Sequence, residues 1–393
     1  MTTSRRTLWS LGLLIATLIA ATAWPVHGWW IGHRRAALEA RCREALKSKR
    51  WDELEQLTAD WCRWDADHAL AWVLAAQAAQ GNRNWRRAAE CLGHLPDSDP
   101  RTVPALMERM RLLFEELNQP LEAVATCERL LRIEPRASRA HSRLIFFYAM
   151  SLQRQELVRC IRRAIDARSE PPEAYVYLFG ADWLVFSNAL AINTHWLESC
   201  PDYEPFLVAR ALHLATMVPS QQEQAANPLA SQAGDLTLLN EYLQRFPDNL
   251  EVLAFHLRRT AEAGDTAGLA PLVTRAPAAA ESDNRFWRYK GLYHLERTET
   301  AEAREAFGRA LATQPYDWRA RHELANALRL LERPAEAERQ ARLALTGKEI
   351  EQQITKLQNV AEASEELLEK IAAYAAASGD RQVADALRFR LGD

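Results

Sequence analysis

Chemistry-bearing side chains are plentiful in this 393-residue chain, but none falls into a catalytic pattern. His294 and His322 lie 28 residues apart in helical sequence with no third ligand at metal spacing, so packing or surface-lining roles suit them better. The six cysteines (Cys42, Cys62, Cys91, Cys127, Cys160, Cys200) include no CxxC or CxxCH and read as small apolar residues inside helices. Neighbouring acids, Glu365 with Glu366 and Asp60 with Asp65 and Asp67, sit in helical or inter-helix settings where solvated faces explain them. Trp61, Trp64, Trp72 and Trp85 would suit stacking on a base or sugar, yet Trp51 and Trp85 both open helices, and core filling accounts for them. GxGxxG, GxxxxGK[ST], HExxH and GxSxG are all missing from the sequence, so no enzyme activity, cofactor or metal is expected.

The elements that carry these residues are helical. Ala, Leu, Glu and Arg dominate, only 14 glycines occur, and no Val/Ile/Thr run alternates with polar residues. A formal charge of -3 gives no reason to expect a nucleic-acid ligand. At this length the chain exceeds one compact core. The amino terminus departs from the pattern. Arg5 and Arg6 precede an uncharged run from Leu8 to Trp24 that, extended to Ile31, reaches the roughly 20 residues needed to cross a bilayer. Trp24, Trp29 and Trp30 would form an interfacial belt. The sequence therefore predicts a single-pass membrane protein anchored through residues 8–31. Ala21-Thr22-Ala23 offers the competing reading of a cleaved signal, and the twin arginines have the look of an export signal. Positive charges from Arg34 to Arg50 oppose export, while the signal-like run favours an extracytoplasmic repeat domain.

Self-similarity decides the fold. In NRFWRYKGLYHLERTETAEAREAFGRALATQP, counted from Asn284, positions 4, 8, 20, 24, 27 and 32 are Trp287, Gly291, Ala303, Phe307, Ala310 and Pro315. A second unit opens at Trp318, 34 residues on, with Leu324, Ala325, Ala337 and Ala344 at 7, 8, 20 and 27. Units opening at 35, 69, 104 and 138 keep the same frame through the first half. Each is a pair of amphipathic helices that cannot bury its apolar stripes alone. This pattern resembles the tetratricopeptide repeat family. The resemblance covers most of residues 35–345 and implies an all-α, right-handed α-solenoid of helix-turn-helix repeats that binds other proteins. The expected organisation is an anchor over 1–33, an amino-terminal array over 34–215, degenerate repeats with a polar insertion and linker over 216–283, a well-formed pair over 284–346 and capping helices over 347–393.

In that family the first helix of each unit lines a concave groove, chiefly through positions 2, 5, 9 and 12. Carried over, these positions give Arg285, Arg288, Arg319, His322, Asn326 and Arg329, with Arg258 one unit earlier. Guanidinium groups suit carboxylates through paired hydrogen bonds, so the resemblance implies an acidic segment of a partner protein in the groove. The family's carboxylate clamp is matched only in part, since Asn326 stands at 9 but His322 replaces Lys at 5. The rival from another class is an enzyme or enzyme subunit with an unrecognised site in the degenerate region 170–283.

Overall fold

The computed structural model describes residues 29–183, 185–186, 188–216 and 236–392. The ordered elements among them are helices, without a strand. Two compact units emerge, Met1–Leu117 and Asn118–Asp393. The first contains α1 (29–47), α2 (Trp51–Trp64), α3 (Ala69–Gly81), α4 (Trp85–Gly93) and α5 (Thr102–Arg111), the last continued by a π-helical turn, Leu112–Glu116. From α2 onward each helix packs on the next.

The second unit runs through α6 (Pro120–Ile133), α7 (Ser138–Met150), α8 (Arg154–Asp166), α9 (Glu173–Phe179), α10 (Ala189–Ser199) and α11 (Glu204–Thr216). It continues with α12 (Thr237–Arg245), α13 (Leu250–Glu262), α14 (Thr266–Thr274), α15 (Asn284–Glu296), α16 (Thr300–Thr313) and α17 (Trp318–Leu330). It ends with α18 (Pro334–Ile354), α19 (Glu365–Ser378) and α20 (Arg381–Leu391). Residues 217–235, in the stretch where the polar insertion is expected, lie outside the described residues.

The repeat is written into the backbone. Lys49, Arg83, Asn118, Leu152, Gly264, Thr298 and Glu332 all adopt left-handed φ values between 48° and 68°. Each stands at position 15 of its unit, so the spacing of 34 or 35 residues seen in the sequence is repeated in the turns. The residue after several of them donates its N–H to a carbonyl five positions back, as in Asn84 to Ala79, Gln153 to Tyr148, Glu299 to His294 and Arg333 to Leu328. This closes the end of each first helix in the manner of a Schellman motif. A left-handed non-glycine residue costs about 1–2 kcal/mol, so packing between the hairpins holds these turns in place. Position 4 has a second recurring role. Trp72, Trp287 and Arg321 each donate to the carbonyl six residues earlier, and His141 bonds Pro135 at the same offset. Trp72 also stacks on His94 at 4.2 Å, which makes it a structural residue and not a ligand platform.

Within the unit at Asn284, small residues let the paired helices approach. A Cβ on Gly291 would come within 2.5 Å of the Phe307 ring, and Ala303, fully buried, lies in one cluster with Phe307, Leu324 and Leu328. Ala303→Leu should therefore overpack this contact by roughly 1–3 kcal/mol. A thermal melt of the full chain checks it, with lowered stability as the expected result. The poorly matched stretch from Leu250 also forms a hairpin, α13 with α14, and turns at Gly264 in the frame of its neighbours. All six cysteines are free; burial pushes the Cys62, Cys127 and Cys160 thiols up to about 12, so they are inert at neutral pH.

One helix breaks the pattern. In α9, Ala174, Tyr175, Val176, Tyr177, Leu178 and Phe179 are all buried, so no face is left for solvent. α9 touches α7 and α8 on one side and α19 and residues 360–362 on the other. Phe179 meets Tyr316 and Tyr374 at 5.6 and 5.7 Å between ring centres. The last two helices thus return to the middle of the unit. There Arg162 grips Asp380 through both nitrogens, Tyr316 donates to Asp380 at 2.7 Å, and Arg390 bonds the carbonyl of Glu170.

The single-pass membrane placement needs correcting. Among the described residues no helix is long and apolar enough to cross a membrane. Leu8 to Trp24, on which that expectation rests, lies outside the described residues. Trp29 and Trp30, expected in an interfacial belt, open α1 instead. Trp29 stacks on His33 and Trp30 meets Trp64 edge-on at 6.1 Å, while Arg34 lies over both Trp30 and Trp64. α1 runs on through Arg34, Arg35, Arg41 and Arg43 to residue 47, a polar amphipathic helix in contact with the rest of its unit.

Candidate functional site

Every second helix in the middle of the second unit contributes to one cavity of about 550 Å³. Leu212 and Thr216 come from α11, Glu251, Ala254, Phe255, Arg258, Ala261 and Glu262 from α13, Arg285, Arg288, Tyr289 and Leu292 from α15, and Trp318, Arg319, His322 and Glu323 from α17. The three- and four-residue steps within each group place them on one helical stripe. Leu152, Arg154, Asp182, Trp183 and Val185 form the opposite wall.

Five of the seven groove residues expected from the sequence line this cavity, namely Arg258, Arg285, Arg288, Arg319 and His322. Asn326 and Arg329 lie further along α17, where Arg329 bonds Asn326 at 2.7 Å and Asn326 bonds Glu323 at 3.1 Å. The arginines differ sharply in freedom. Arg285, 6% exposed, is held by Glu251 at 2.6 and 2.8 Å and by Asp283 at 2.6 Å. Arg288, 7% exposed, donates one nitrogen to Asp182 at 2.8 Å and to Asp317 at 2.6 Å. Arg319 is half-buried and makes a two-pronged bridge to Glu351, both contacts at 2.7 Å. Arg258 is the more available one: its nearest acid, Glu262, stands 3.9 Å away and both side chains are exposed. His322 and Arg329 are exposed as well.

The floor of the cavity is therefore an ion-pair lattice supplied by the chain itself. Arg154 joins it by bonding Glu251 at 2.9 Å and the carbonyl of Ala181. Burial alone would raise the Glu251 carboxyl, but Arg154 and Arg285 outweigh it and hold the group down at about 2. Burial likewise works against ionising Asp182, and Arg288 overrides it, leaving Asp182 below the usual range. Asp182 and Glu251 direct their oxygens at guanidinium groups, which suits a supporting lattice better than acid–base work. Above the lattice the wall is largely apolar, with Trp183, Val185, Phe255, Leu292 and Trp318.

The acids Asp182, Glu251, Asp283 and Asp317 were not anticipated. Part of the signal was present: Asn249, Asp283 and Asp317 recur every 34 residues, immediately before three first helices, and each caps its helix by accepting backbone N–H groups. The pairing of Glu251 with Arg285 spans the same 34 residues.

No protein-family model matches the chain, and no curated protein matches it either. Among solved structures the chain is similar to the APC/C hetero-tetramer Cut9-Hcn1, with 15% identity, a TM-score of 0.34, and coverage of 90% of this chain and 78% of that one. It is also similar to a tetratricopeptide repeat protein from Parabacteroides merdae ATCC 43184, with 12% identity, a TM-score of 0.28, and coverage of 75% and 98%. The chain's own turns and helix pairings define it as an α-solenoid of helical hairpins.

Proposed function

We propose that this chain is a protein-interaction scaffold that holds a segment of a partner in the cavity between α11, α13, α15 and α17. The observation that carries this is the convergence of four alternate helices on one concave, partly apolar surface. Such a surface suits an extended segment whose bulky apolar side chain lodges against Phe255, Leu292 and Trp318. The acidic character expected of that segment now rests on Arg258, His322 and Arg329, with Asn326 beside them. Arg285, Arg288 and Arg319 support this reading indirectly, by shaping the wall. Acid–base chemistry in the 170–283 region is the weaker reading, because two of its cavity carboxylates, Asp182 and Glu251, are bound to arginines and the third, Glu262, is exposed to solvent beside Arg258.

Filling the cavity tests the proposal. Ala261→Trp places an indole at the mouth, where Ala261 is half-buried, and should leave the fold intact while removing captured partners. The pair Arg258→Glu with Arg329→Glu should weaken capture more modestly, about three- to tenfold, because exposed charge pairs contribute little. Quantitative affinity capture with mass spectrometry reads both. Unchanged partners for a folded Ala261→Trp chain would move the binding surface elsewhere.

A further inference from the structure

The buried lattice does not balance. Arg154, Arg285 and Arg288 are matched by Glu251, Asp283, Asp182 and Asp317, three cations against four acids, and each of these acids is at most 13% exposed at its side chain. The surplus is localised. The Oδ2 atoms of Asp182 and Asp317 accept from the same Arg288 nitrogen, at 2.8 and 2.6 Å, and from the same Asn284 amide, at 3.4 and 2.7 Å. Two carboxylates placed side by side and buried cannot both stay ionised at little cost.

The groups around the pair do not remove the surplus. Arg319 faces Asp182 from α17 but is matched by Glu351, and the buried Arg321, on the same helix, spends its donors on the Pro315 carbonyl and on Gln340. Tyr289 lies beside Arg288, and on the far side Arg162 serves Asp380 and Tyr316. Asp182 and Asp317 are 6% and 1% exposed at their side chains, too enclosed for a partner's ammonium group. A proton is the cation that fits.

We infer that Asp182 and Asp317 share one proton at neutral pH, and that this proton latches the Ala181–Trp183 turn to α15 and α17, forming a pH-sensitive wall of the cavity. The latch stands whatever occupies the cavity. Burial, exceeding the pull of Arg288, moves the Asp317 carboxyl above the usual aspartate range, in the same sense as the neighbouring Asp182 charge. The sign follows from linkage. A group with a raised folded pKa contributes stability that is complete below the ordinary aspartate value and is lost as pH rises through the folded pKa. The turn therefore loosens towards alkaline pH. Glu251, held down, contributes in the opposite sense and loses its contribution only as pH falls towards 2.

The test is the melting temperature of the full chain against pH, with Asp182→Asn as the comparison. Wild type should lose on the order of 3 °C per pH unit from the ordinary aspartate value up to the pair's upper pKa, and level off above it. Asp182→Asn leaves three acids for three cations and should remove that slope. Should the variant fail to fold, infrared spectroscopy of wild type alone decides. A protonated-carboxyl stretch present at pH 7 and lost on raising pH supports the latch. Its absence at pH 7, or a decline over the same pH range unchanged in Asp182→Asn, overturns it.

Discussion

Arg288→Met should destabilise the second unit by about 3–5 kcal/mol, the cost of stranding buried charge partners. Among the described residues Arg288 is the one cation whose side chain bonds both Asp182 and Asp317, and the other donors to that pair, Asn284 and the Ala320 backbone N–H, are neutral. Methionine replaces much of the volume but none of the charge. Adding Asp182→Asn should recover a large part of the loss, because a single remaining carboxyl can be protonated where it stands. Denaturant unfolding followed by amide exchange across residues 284–330 would read both effects. A loss below about 1 kcal/mol for Arg288→Met would mean that the lattice is not the support of the cavity floor. The same burial makes Arg288→Glu useless as a test of partner recognition.

Phe179→Ala is expected to cost about 3–5 kcal/mol, the range for truncating a buried phenylalanine. The ring, 1% exposed, fills the space between Tyr316 and Tyr374 at the end of α9. Its removal opens the contact through which α19 meets α9, and with it the approach of α20 to α8. Amide exchange should therefore quicken first in α19 and α20, before the α15–α16 hairpin is affected. Faster exchange spread evenly over the unit, or none in the last two helices, would contradict this arrangement.

Much of the fold was legible, for identifiable reasons. The spacing of Trp287, Gly291, Ala303 and Phe307 reports contacts within one hairpin, and local contacts leave a local signature. Within the expected capping helices, Gly379 ends α19 with a left-handed φ of 89°, the conformation glycine adopts most readily at a helix end. Five groove residues could be placed because a helical period fixes which face they share. The freedom of those residues could not be read. Whether Arg285 faces a partner or an internal acid depends on Glu251, which belongs to the preceding unit, and Arg288 depends on Asp182, 106 residues away. α9 hid for a related reason. The run Ala-Tyr-Val-Tyr-Leu-Phe is apolar on every face, the mark of an enclosed helix, but what encloses it arrives from the far end of the chain. The amino-terminal expectation failed where it touched the described residues, because Trp29 and Trp30 have neighbours in α1 and α2 that a hydropathy reading does not see.

Site-specific photo-crosslinking tests the central claim most directly. A photoreactive amino acid is placed at His322, exposed at the cavity, and at Glu305, exposed on α16 away from it. The scaffold reading predicts that position 322 captures a discrete protein, that Ala261→Trp abolishes the capture, and that position 305 captures none. Capture from 305 alone, or capture from 322 that survives the filled cavity, would contradict it.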